Sequence, residues 1–451
     1  MANTIVLIHG YSDKGDSFAK WHQVLANAGY DVTQIYVGNY VSLSNEVTIK
    51  DIAEGFDRAL KYEAGLDPNE PFDAIVHSTG MLVIRSWLTT YATEEHRKKR
   101  LRRLIALAPA SFGSPLAHKG RSWLGAVFKG SKAILKPDFL EAGNEVLSAL
   151  ELGSAFTWDL AHKDLIGENA IFSDHEDSPF VFTFCGNRGY KGLSSLINPD
   201  GSDGTVRWAG CPLNTRKITI KLLEDVPDDE RVKLEPWGNP QIPLIPIDDA
   251  DHGSILREPS KELIALVVDA FKVNSRNEFT DWVNNALEKT KTTREKMRRW
   301  QQFVVRVVDE RGDPVSDWNM QLCRKQKGSA CLTDFDLDVH VYEYDKSLRC
   351  FHVDLDHLQP EVLEELHMKL IATTGTELVC YYGKGSERFN AAGKKYPRGK
   401  WDAQFDLSPF FHTEKFKFFY PFTTTLVEIR LNREPMPLGG RNNVFWLSSP
   451  K

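Results

Sequence analysis

The stretch FDAIVHSTGMLVIRSWL, residues 72–88, begins with strand-forming residues and continues with apolar residues at helical spacing. A parallel strand that turns sharply into a helix places the turn residue at the carboxyl edge of the sheet, where ligands bind in open α/β folds. Ser78 lies at this turn, so we expect its hydroxyl to be exposed beside the N–H groups that open the helix. Such groups stabilise a developing negative charge. The stretch predicts an α/β fold with Ser78 placed as a nucleophile, although a serine before a helix is also a common N-cap.

The composition sets the broad class of the protein. The chain has 451 residues, of which 41% are hydrophobic and 26% charged, with a net charge of −6. This length is sufficient for two or three hydrophobic cores, and the composition excludes a disordered or fibrous chain. A mildly acidic protein has no general attraction to nucleic acid or to an anionic membrane surface. We therefore expect no nucleic-acid partner.

Targeting signals and cysteine usage indicate a cytoplasmic protein. Residues 1–4 lead directly into IVLIHG, without the basic and apolar regions of a cleaved signal peptide. The sequence has no run approaching the length of a transmembrane helix. Its six cysteines are scattered without C-x-x-C spacing, which favours reduced thiols. Export by a route that needs no cleaved signal is compatible with the same sequence.

The pattern of elements divides the chain into three parts. Residues 1–272 alternate strand-like and helix-like segments, which predicts a mostly parallel sheet covered by helices. Residues 273–300 are predicted to form a connecting helix with a charged, solvated C-terminal half. Residues 301–451 predict a separate antiparallel β-sandwich-like domain, to which a protein partner could bind. The strands predicted for the first part are TIVLIHG (4–10), DVTQIYVG (31–38), FDAIVHS (72–78), RLIALAP (103–109), FVFTFCG (180–186), KITIKLL (217–223) and IPLIPID (242–248).

A nucleophilic serine needs a base that a carboxylate holds in the correct tautomer. The segment IPIDDADHGSIL places His252 in the loop after the last predicted strand, and NPDGSDGTVRW places Asp203 after FVFTFCG. The chain order Ser, Asp, His is the one expected when these groups follow successive strands of such a sheet. Two alternatives stay open: Asp200 in place of Asp203 as the acid, and a surface histidine paired with its neighbouring carboxylates.

The loop after the first predicted strand, in IVLIHGYSDKGDSF, resembles the loop that donates one N–H to an oxyanion hole. We expect the two donors to be the backbone N–H groups of Tyr11 and Thr79. His9 and His77 flank this region and are interpreted as structural histidines. The carboxylates near His252 have no second ligand cluster with metal-site spacing, so a metal-independent reaction is expected.

The segments IVLIHGY, VHSTGM, GSDGTV and DADHGSIL together resemble the lipase and esterase branch of the α/β-hydrolase superfamily, over residues 1–272. In that family the serine lies in G-x-S-x-G, and here Val76 replaces the first glycine. The segment LAPASFGSPLAHKGRSWLGAVFKG also resembles GPI inositol-deacylase-like hydrolases and phospholipase toxins delivered by type VI secretion. The resemblance implies an α/β-hydrolase fold, hydrolysis of a carboxylic ester in a lipid, and no organic cofactor.

Residues 111–165 form a long insertion, at a place where hydrolases of this fold carry a cap or lid. Its apolar side chains have two interpretations. They either cover a lipid-binding pocket and make transient contact with a membrane surface, or they pack in the core. These side chains are Trp123, Leu124, Val127, Phe128, Ile134, Leu135, Leu147, Leu150, Leu152, Phe156 and Trp158.

The sequence therefore predicts a serine ester hydrolase, a lipase or phospholipase, that acts through Ser78, Asp203 and His252 and an acyl-enzyme intermediate. Two other functions stay open. An amidase or peptidase would use the same three residues and differ only in the leaving group. A catalytically silent hydrolase-like scaffold would bind a partner through its β domain.

Overall fold

The computed structural model describes residues 4–11, 15–63, 70–91, 100–118, 143–167, 170–192, 195, 198–235, 242–323, 339–342, 345–362, 365–376, 378–384, 401–408, 418–435, 445 and 447–450. The chain divides into two compact units. The first comprises Met1–Arg216, Trp237–Trp300 and Phe422–Thr424, and the second comprises Lys217–Pro236, Gln301–Pro421 and Thr425–Lys451.

The strands of the described residues are β1 (Thr4–Ile8), β2 (Ile35–Gly38), β3 (Phe72–His77), β4 (Leu101–Leu107), β5 (Phe180–Gly186), β6 (Thr215–Lys221), β7 (Val232–Leu234), β8 (Leu244–Ile247), β9 (Trp300–Asp309), β10 (Asp317–Cys323), β11 (Val339–Val341), β12 (Leu348–Asp354), β13 (His367–Thr373), β14 (Val379–Tyr382), β15 (Trp401–Asp406) and β16 (Thr423–Pro435).

The helices of the same residues are α1 (Ala19–Asn27), α2 (Ile49–Arg58), α3 (Gly80–Ser86), α4 (Pro115–His118), α5 (Asn144–Leu150), α6 (Ala155–Asp164), α7 (Ser254–Arg257), α8 (Lys261–Ala270), α9 (Arg276–Lys289), α10 (Lys291–Lys296) and α11 (Leu355–Leu358). None of them has the length and apolar character needed to cross a membrane.

The first unit contains a six-stranded sheet in the order β2-β1-β3-β4-β5-β8. All five strand pairs are parallel. The predicted α/β fold is confirmed. The strand order reverses between β1 and β3, and such a switch point is where open α/β sheets form a crevice at their carboxyl edge. Ser78 follows β3 at this switch point.

Both faces of this sheet are covered, as expected for parallel strands. On one face Ile5 and Leu7 of β1 lie in a core with Trp21 of α1 and Leu266 of α8. On the other face α2 and α3 contribute to a second apolar cluster, which includes Ile52. The alternation along β1 therefore follows the period of two that a strand imposes on its side chains.

The predicted connecting helix at 273–300 is part of the first unit and contains two helices, α9 and α10. The ring centroid of Phe279 lies 5.3 Å from that of Phe182, and the centroid of Trp282 lies 4.6 Å from it. The apolar stripe of α9 is thus buried against the aromatic side chains of β5 instead of spanning two domains. A stripe of this size needs such a partner surface to leave water.

The second unit contains a sheet in which β11-β12-β9-β16-β6-β7 are neighbours and β14 pairs with β16, and a second sheet in the order β10-β13-β15. Side chains of both sheets, among them Phe303, Val305, Met320 and Leu370, share one core. The predicted β-rich C-terminal domain is therefore present, with its sheets packed through their apolar faces.

The segment KITIKLL was expected in the parallel sheet, and the structure corrects this. It forms most of β6, which pairs antiparallel with β7 through Ile218 and Leu234. Ile218, Ile220 and Leu222 are buried in the core of the second unit. This alternation is typical of a strand with one face on a core, whereas a strand buried in a parallel sheet is apolar on both faces. Residues 217–236 therefore belong to the second unit, so the predicted boundary of the first domain at 272 differs from the observed division.

Candidate active site

Ser78 lies at the turn between β3 and α3, with a backbone φ of +52°. This left-handed conformation is unfavourable for any residue except glycine, and it is held by hydrogen bonds on both sides. The Ser78 N–H donates to the carbonyl of Leu107 at 3.2 Å, and the Ser78 carbonyl accepts from the N–H groups of Met81 at 3.2 Å and Ala110 at 3.1 Å. A strained strand-to-helix turn of this kind is the backbone of a nucleophile elbow.

The hydroxyl was expected to be exposed, but Ser78 is only 3% exposed. The chain that follows β1 passes directly against it. A Cβ atom on Gly10 would lie 2.9 Å from the Cβ of Ser78, so only glycine fits this position. A Cβ on Gly80 would likewise lie 2.6 Å from the carbonyl oxygen of Ile8. Val76, which replaces the first glycine of the family pattern, is accommodated inside β3, where it pairs with Ile8.

His252 and Asp203 form a buried pair. The Nδ1 atom of His252 lies 2.9 Å from Oδ2 of Asp203, and the backbone N–H of His252 donates to the Asp203 carbonyl at 2.9 Å. The other carboxylate oxygen, Oδ1, accepts the backbone N–H groups of Thr205 at 3.0 Å and Val206 at 2.8 Å. Asp200, the alternative acid, is exposed. The structure therefore brings Asp203, and not Asp200, to the imidazole.

Sequence reasoning missed Cys185, the penultimate residue of β5. Its thiol donates to Oδ2 of Asp203 at 3.4 Å, so this oxygen accepts hydrogen bonds from both His252 and Cys185. The thiol of Cys211 in turn donates to the sulfur of Cys185 at 3.4 Å. Burial raises the pKa of the Cys185 thiol well above its usual range, which keeps the proton on sulfur. In the sequence, only the position of Cys185 near the end of the strand before the Asp203 loop could have indicated this contact.

His77 connects the serine strand to the histidine loop. Its Nε2–H donates to the backbone carbonyl of His252 at 2.9 Å, and the two rings are 4.8 Å apart between centroids. Burial, with the additional effect of the neighbouring His252, holds the pKa of His77 well below its usual range. His77 is therefore neutral near pH 7 and serves as a hydrogen-bond donor. The ring of His9 stacks on the ring of Tyr40, with centroids 4.3 Å apart.

The two expected oxyanion donors flank Ser78. Tyr11 follows Gly10, the residue packed against Ser78, and Thr79 is the next residue along the chain. Both are buried. That their backbone N–H groups donate to an oxyanion stays a prediction.

The carboxylates before His252 bind cationic side chains and backbone amides. Asp249 lies 2.7 Å from Arg188 and 3.2 Å from Lys191, and Oδ1 of Asp251 accepts the backbone N–H groups of Gly253 and Ser254. Within the described residues, no three or more His, Cys, Asp or Glu side chains are grouped as metal ligands would be.

The insertion at 111–165 is described only in part. Trp123, Leu124, Val127, Phe128, Ile134 and Leu135 lie outside the described residues. Leu147, Leu150, Leu152 and Trp158 are buried, and Phe156 is half-buried. Helix α6 is joined to α3 by a buried ion pair, in which Nε and Nη2 of Arg85 donate to Asp164 at 2.6 and 2.9 Å. The described half of the insertion is thus packed against the serine helix.

Comparison with solved structures identifies the fold. The phospholipase PlaB from Legionella pneumophila is 23% identical, with a TM-score of 0.77 over 96% of this chain and 94% of that chain. This chain has the α/β-hydrolase fold. The structure of PlaB in complex with thio-NAD gives 22% identity and a TM-score of 0.75 over the same shares of the two chains. A lipase from Bacillus licheniformis is similar over 57% of this chain and 87% of its own, with 15% identity and a TM-score of 0.36.

No protein-family model and no curated protein sequence matches this chain. The narrower resemblance to GPI inositol-deacylase-like hydrolases and type VI secretion toxins stays a prediction.

Proposed function

We propose that this chain is a serine hydrolase that cleaves carboxylic esters of lipids, with Ser78 as the nucleophile, His252 as the base and Asp203 as the orienting acid. The observation that carries the proposal is the buried His252–Asp203 pair, with Nδ1 and Oδ2 2.9 Å apart. His77, the residue before Ser78, hydrogen-bonds to the backbone of His252. The strained serine and the paired histidine therefore belong to one connected site at the switch point of the sheet.

In the proposed reaction, Nε2 of His252 takes the proton from Oγ of Ser78 while Oγ attacks the ester carbonyl carbon. The carbonyl oxygen becomes negatively charged and is stabilised by the backbone N–H groups of Tyr11 and Thr79. The C–O bond to the alcohol then breaks, the alcohol takes the proton from His252, and the acyl group stays on Ser78. Water, deprotonated by His252, then attacks the acyl carbon, the bond from this carbon to Oγ of Ser78 breaks, and Oγ takes the proton back from His252 as the acid leaves.

A lipid as the substrate is supported by likeness to one protein. PlaB, described as a phospholipase, is similar over almost the whole length of both chains, so the likeness includes both units. A lipid ester would bring the protein into transient contact with a membrane or micelle surface. The proposed substrate class is therefore the glycerolipids and phospholipids.

A fluorophosphonate probe tests the nucleophile directly, because an activated serine hydroxyl attacks its phosphorus as it would an ester carbonyl. We expect the wild-type protein to be labelled on Ser78, and Ser78→Ala to be unlabelled. Ser195→Ala, which removes an exposed hydroxyl outside the site, is the matched control and should be labelled like the wild type. Equal labelling of Ser78→Ala would contradict the assignment.

The substrate class is tested by mass spectrometry of a lipid extract incubated with the wild type and with Ser78→Ala. Fatty acids released only by the wild type support the proposal, and the lipids that disappear identify the substrate. A protein that is labelled on Ser78 but cleaves no lipid and no short ester would instead be a hydrolase-like scaffold. Cleavage of an amide without cleavage of any ester would make it an amidase.

A further inference from the structure

An apolar cavity of about 640 Å³ lies in the first unit, between the carboxyl half of β2 and helix α2. Its wall is formed mainly by aliphatic and aromatic side chains, among them Val6, Ile8, Ile52, Phe56, Leu60 and Val83. The volume lies within the range of small-ligand sites in proteins. The cavity therefore has the size and character of a binding site for a hydrocarbon group.

Three residues connect the wall of this cavity to the proposed active site. Ile8 lines the cavity, and two residues later Gly10 packs against Ser78. Val83, five residues after Ser78 in α3, lines it from the other side. Tyr40 also lines it, and the Tyr40 hydroxyl donates to the carbonyl of His9 at 2.7 Å, beside the chain that covers the serine. The cavity is thus lined by residues of β1 and α3, the elements on either side of the switch point at which Ser78 lies.

The rim of the cavity disfavours an anionic occupant. Asp51 at the N-terminus of α2 lines it, and Oδ2 of this residue accepts the N–H of Thr48 at 2.9 Å and its hydroxyl at 2.7 Å. The hydroxyl and N–H of Thr48 lower the pKa of Asp51, so the carboxylate is charged at neutral pH. A phosphate or carboxylate would be repelled there. Val41 and Val37, 62% and 37% exposed, present apolar surface to solvent beside it.

We propose that this cavity holds the hydrocarbon chain of the acyl group while the ester carbonyl lies at Ser78, so that its walls select the acyl length. The inference rests on the proposed ester hydrolysis and names the part of the substrate that the site recognises. An apolar chain matches the aliphatic wall and carries no negative charge that Asp51 would repel, and the wall is connected to Ser78 through β1 and α3. Transfer of each methylene from water into such a wall favours binding by about fourfold.

Gly55 of α2 makes the proposal testable without disturbing the core. It lines the cavity, and a Cβ atom added there would meet no atom within 4 Å. Its helical position tolerates any side chain that helices accept, so Gly55→Phe should fill the cavity and leave the fold intact. Arg58→Phe is the matched control, because it places the same ring on an exposed position of α2 that does not line the cavity.

The experiment compares kcat/KM for p-nitrophenyl esters from acetate to palmitate. In the wild type and in Arg58→Phe we expect the rate constant to rise with chain length until the cavity is filled. In Gly55→Phe the ratio of laurate to acetate should fall on the order of tenfold or more, because the ring takes the space of several methylenes. An unchanged ratio in Gly55→Phe would overturn the proposal.

Headgroup recognition gives a different result. With phospholipids of one acyl composition, Gly55→Phe should affect choline and glycerol headgroups equally. A loss confined to the choline lipid would assign the cavity to a cationic headgroup, beside Asp51 and the aromatic rings, and overturn the acyl assignment.

Binding separates this inference from the proposed reaction. Dodecanol is titrated calorimetrically into Ser78→Ala and into the double variant Ser78→Ala, Gly55→Phe. We expect Ser78→Ala to bind dodecanol and the double variant to bind it on the order of tenfold or more weakly. This result would support the cavity as a hydrocarbon site even if the wild type hydrolyses no ester. Equal affinity, or no binding to either protein, would overturn the cavity assignment while leaving the labelling of Ser78 unaffected.

Discussion

His252 and Asp203 are joined twice, by Nδ1–H to Oδ2 at 2.9 Å and by the backbone N–H to the backbone carbonyl at 2.9 Å. The double contact holds the loop, and the carboxylate favours the tautomer with the proton on Nδ1, while Nε2 is the base of the proposed reaction. Asp203→Asn would offer an amide in place of the carboxylate and favour the wrong tautomer. We expect ester turnover to fall on the order of 10⁴-fold, which is the loss that this substitution causes in a serine protease. Steady-state kinetics on a short ester measures the loss.

Asp200→Asn is the matched control for the acid. Asp200 lies three residues earlier in the same loop but is exposed. Its substitution should change turnover by less than about threefold, because an exposed charge interacts only weakly with its surroundings. If the two effects were reversed, the acid would be Asp200 and the observed pairing with His252 would not be the working one.

Cys185 should act as a positioning residue for the acid. Its thiol donates to the same oxygen of Asp203 that accepts from His252. Cys185→Ala removes this donor from a buried carboxylate, and we expect kcat/KM to fall about tenfold. The loss should appear in kcat and leave KM nearly unchanged, because the thiol holds Asp203 and contacts no substrate.

Cys185→Ser replaces the thiol by another hydrogen-bond donor of similar size and should restore kcat. Cys380→Ala, at a buried thiol of the second unit, serves as the control for loss of a sulfur elsewhere. A Cys185→Ala protein with lower stability but an unchanged kcat would show that the thiol only packs.

Backbone strain at Ser78 should be measurable as stability. With φ at +52°, Ser78 is in the left-handed region, where glycine has no steric cost and alanine has one. Both substitutions remove the hydroxyl, so their difference isolates the backbone. We expect Ser78→Gly to be about 1 kcal/mol more stable than Ser78→Ala in urea denaturation.

Ala59, directly after α2, has a helical backbone with φ at −62°, where alanine is more favourable than glycine. Ala59→Gly should destabilise the protein by about 1 kcal/mol. A Ser78→Gly protein less stable than Ser78→Ala would mean that the turn relaxes in solution to an unstrained conformation.

The parallel sheet and the position of the three candidate-site loops could be predicted because both depend on local patterns. A run such as FVFTFCG is apolar on both faces and therefore forms a central strand, and its carboxyl end must lead to the sheet edge. Ser78, Asp203 and His252 each follow such a strand, so the structure places their loops at one edge. Local signals also explain why α2 begins after Thr48, which forms a capping box with Asp51.

Other features depend on contacts between distant segments, which no local pattern encodes. The strand β6 lies beside β16, which is about two hundred residues away in the sequence. Just after β6, for example, the N–H of Leu222 donates to the carbonyl of Arg430. The thiol of Cys185 reaches Asp203 only because the loop after β5 folds back. The burial of Ser78 likewise depends on the close approach of Gly10.

The buried His77 predicts how stability depends on pH. Burial, together with His252, Arg257 and His9 nearby, holds the pKa of His77 well below the value of 6.5 that applies in the unfolded chain. Below pH 6.5 the unfolded chain therefore binds a proton that the folded protein does not bind. Stability should fall as the pH is lowered through this range, by up to about 1.4 kcal/mol per pH unit, and His77 should contribute no slope well above it.

His77→Gln keeps an N–H donor for the carbonyl of His252 but cannot titrate, so it should remove this contribution. The measurement is the free energy of unfolding in urea at a series of pH values, and the quantity that decides is the wild-type value minus the variant value at each pH. That difference should decrease on acidification below pH 6.5 and be constant above pH 7.5. His175→Gln, at an exposed histidine, is the control and should keep the slope of the wild type. A difference that does not vary with pH would show that His77 takes up a proton in the folded protein and that its interior is open to water.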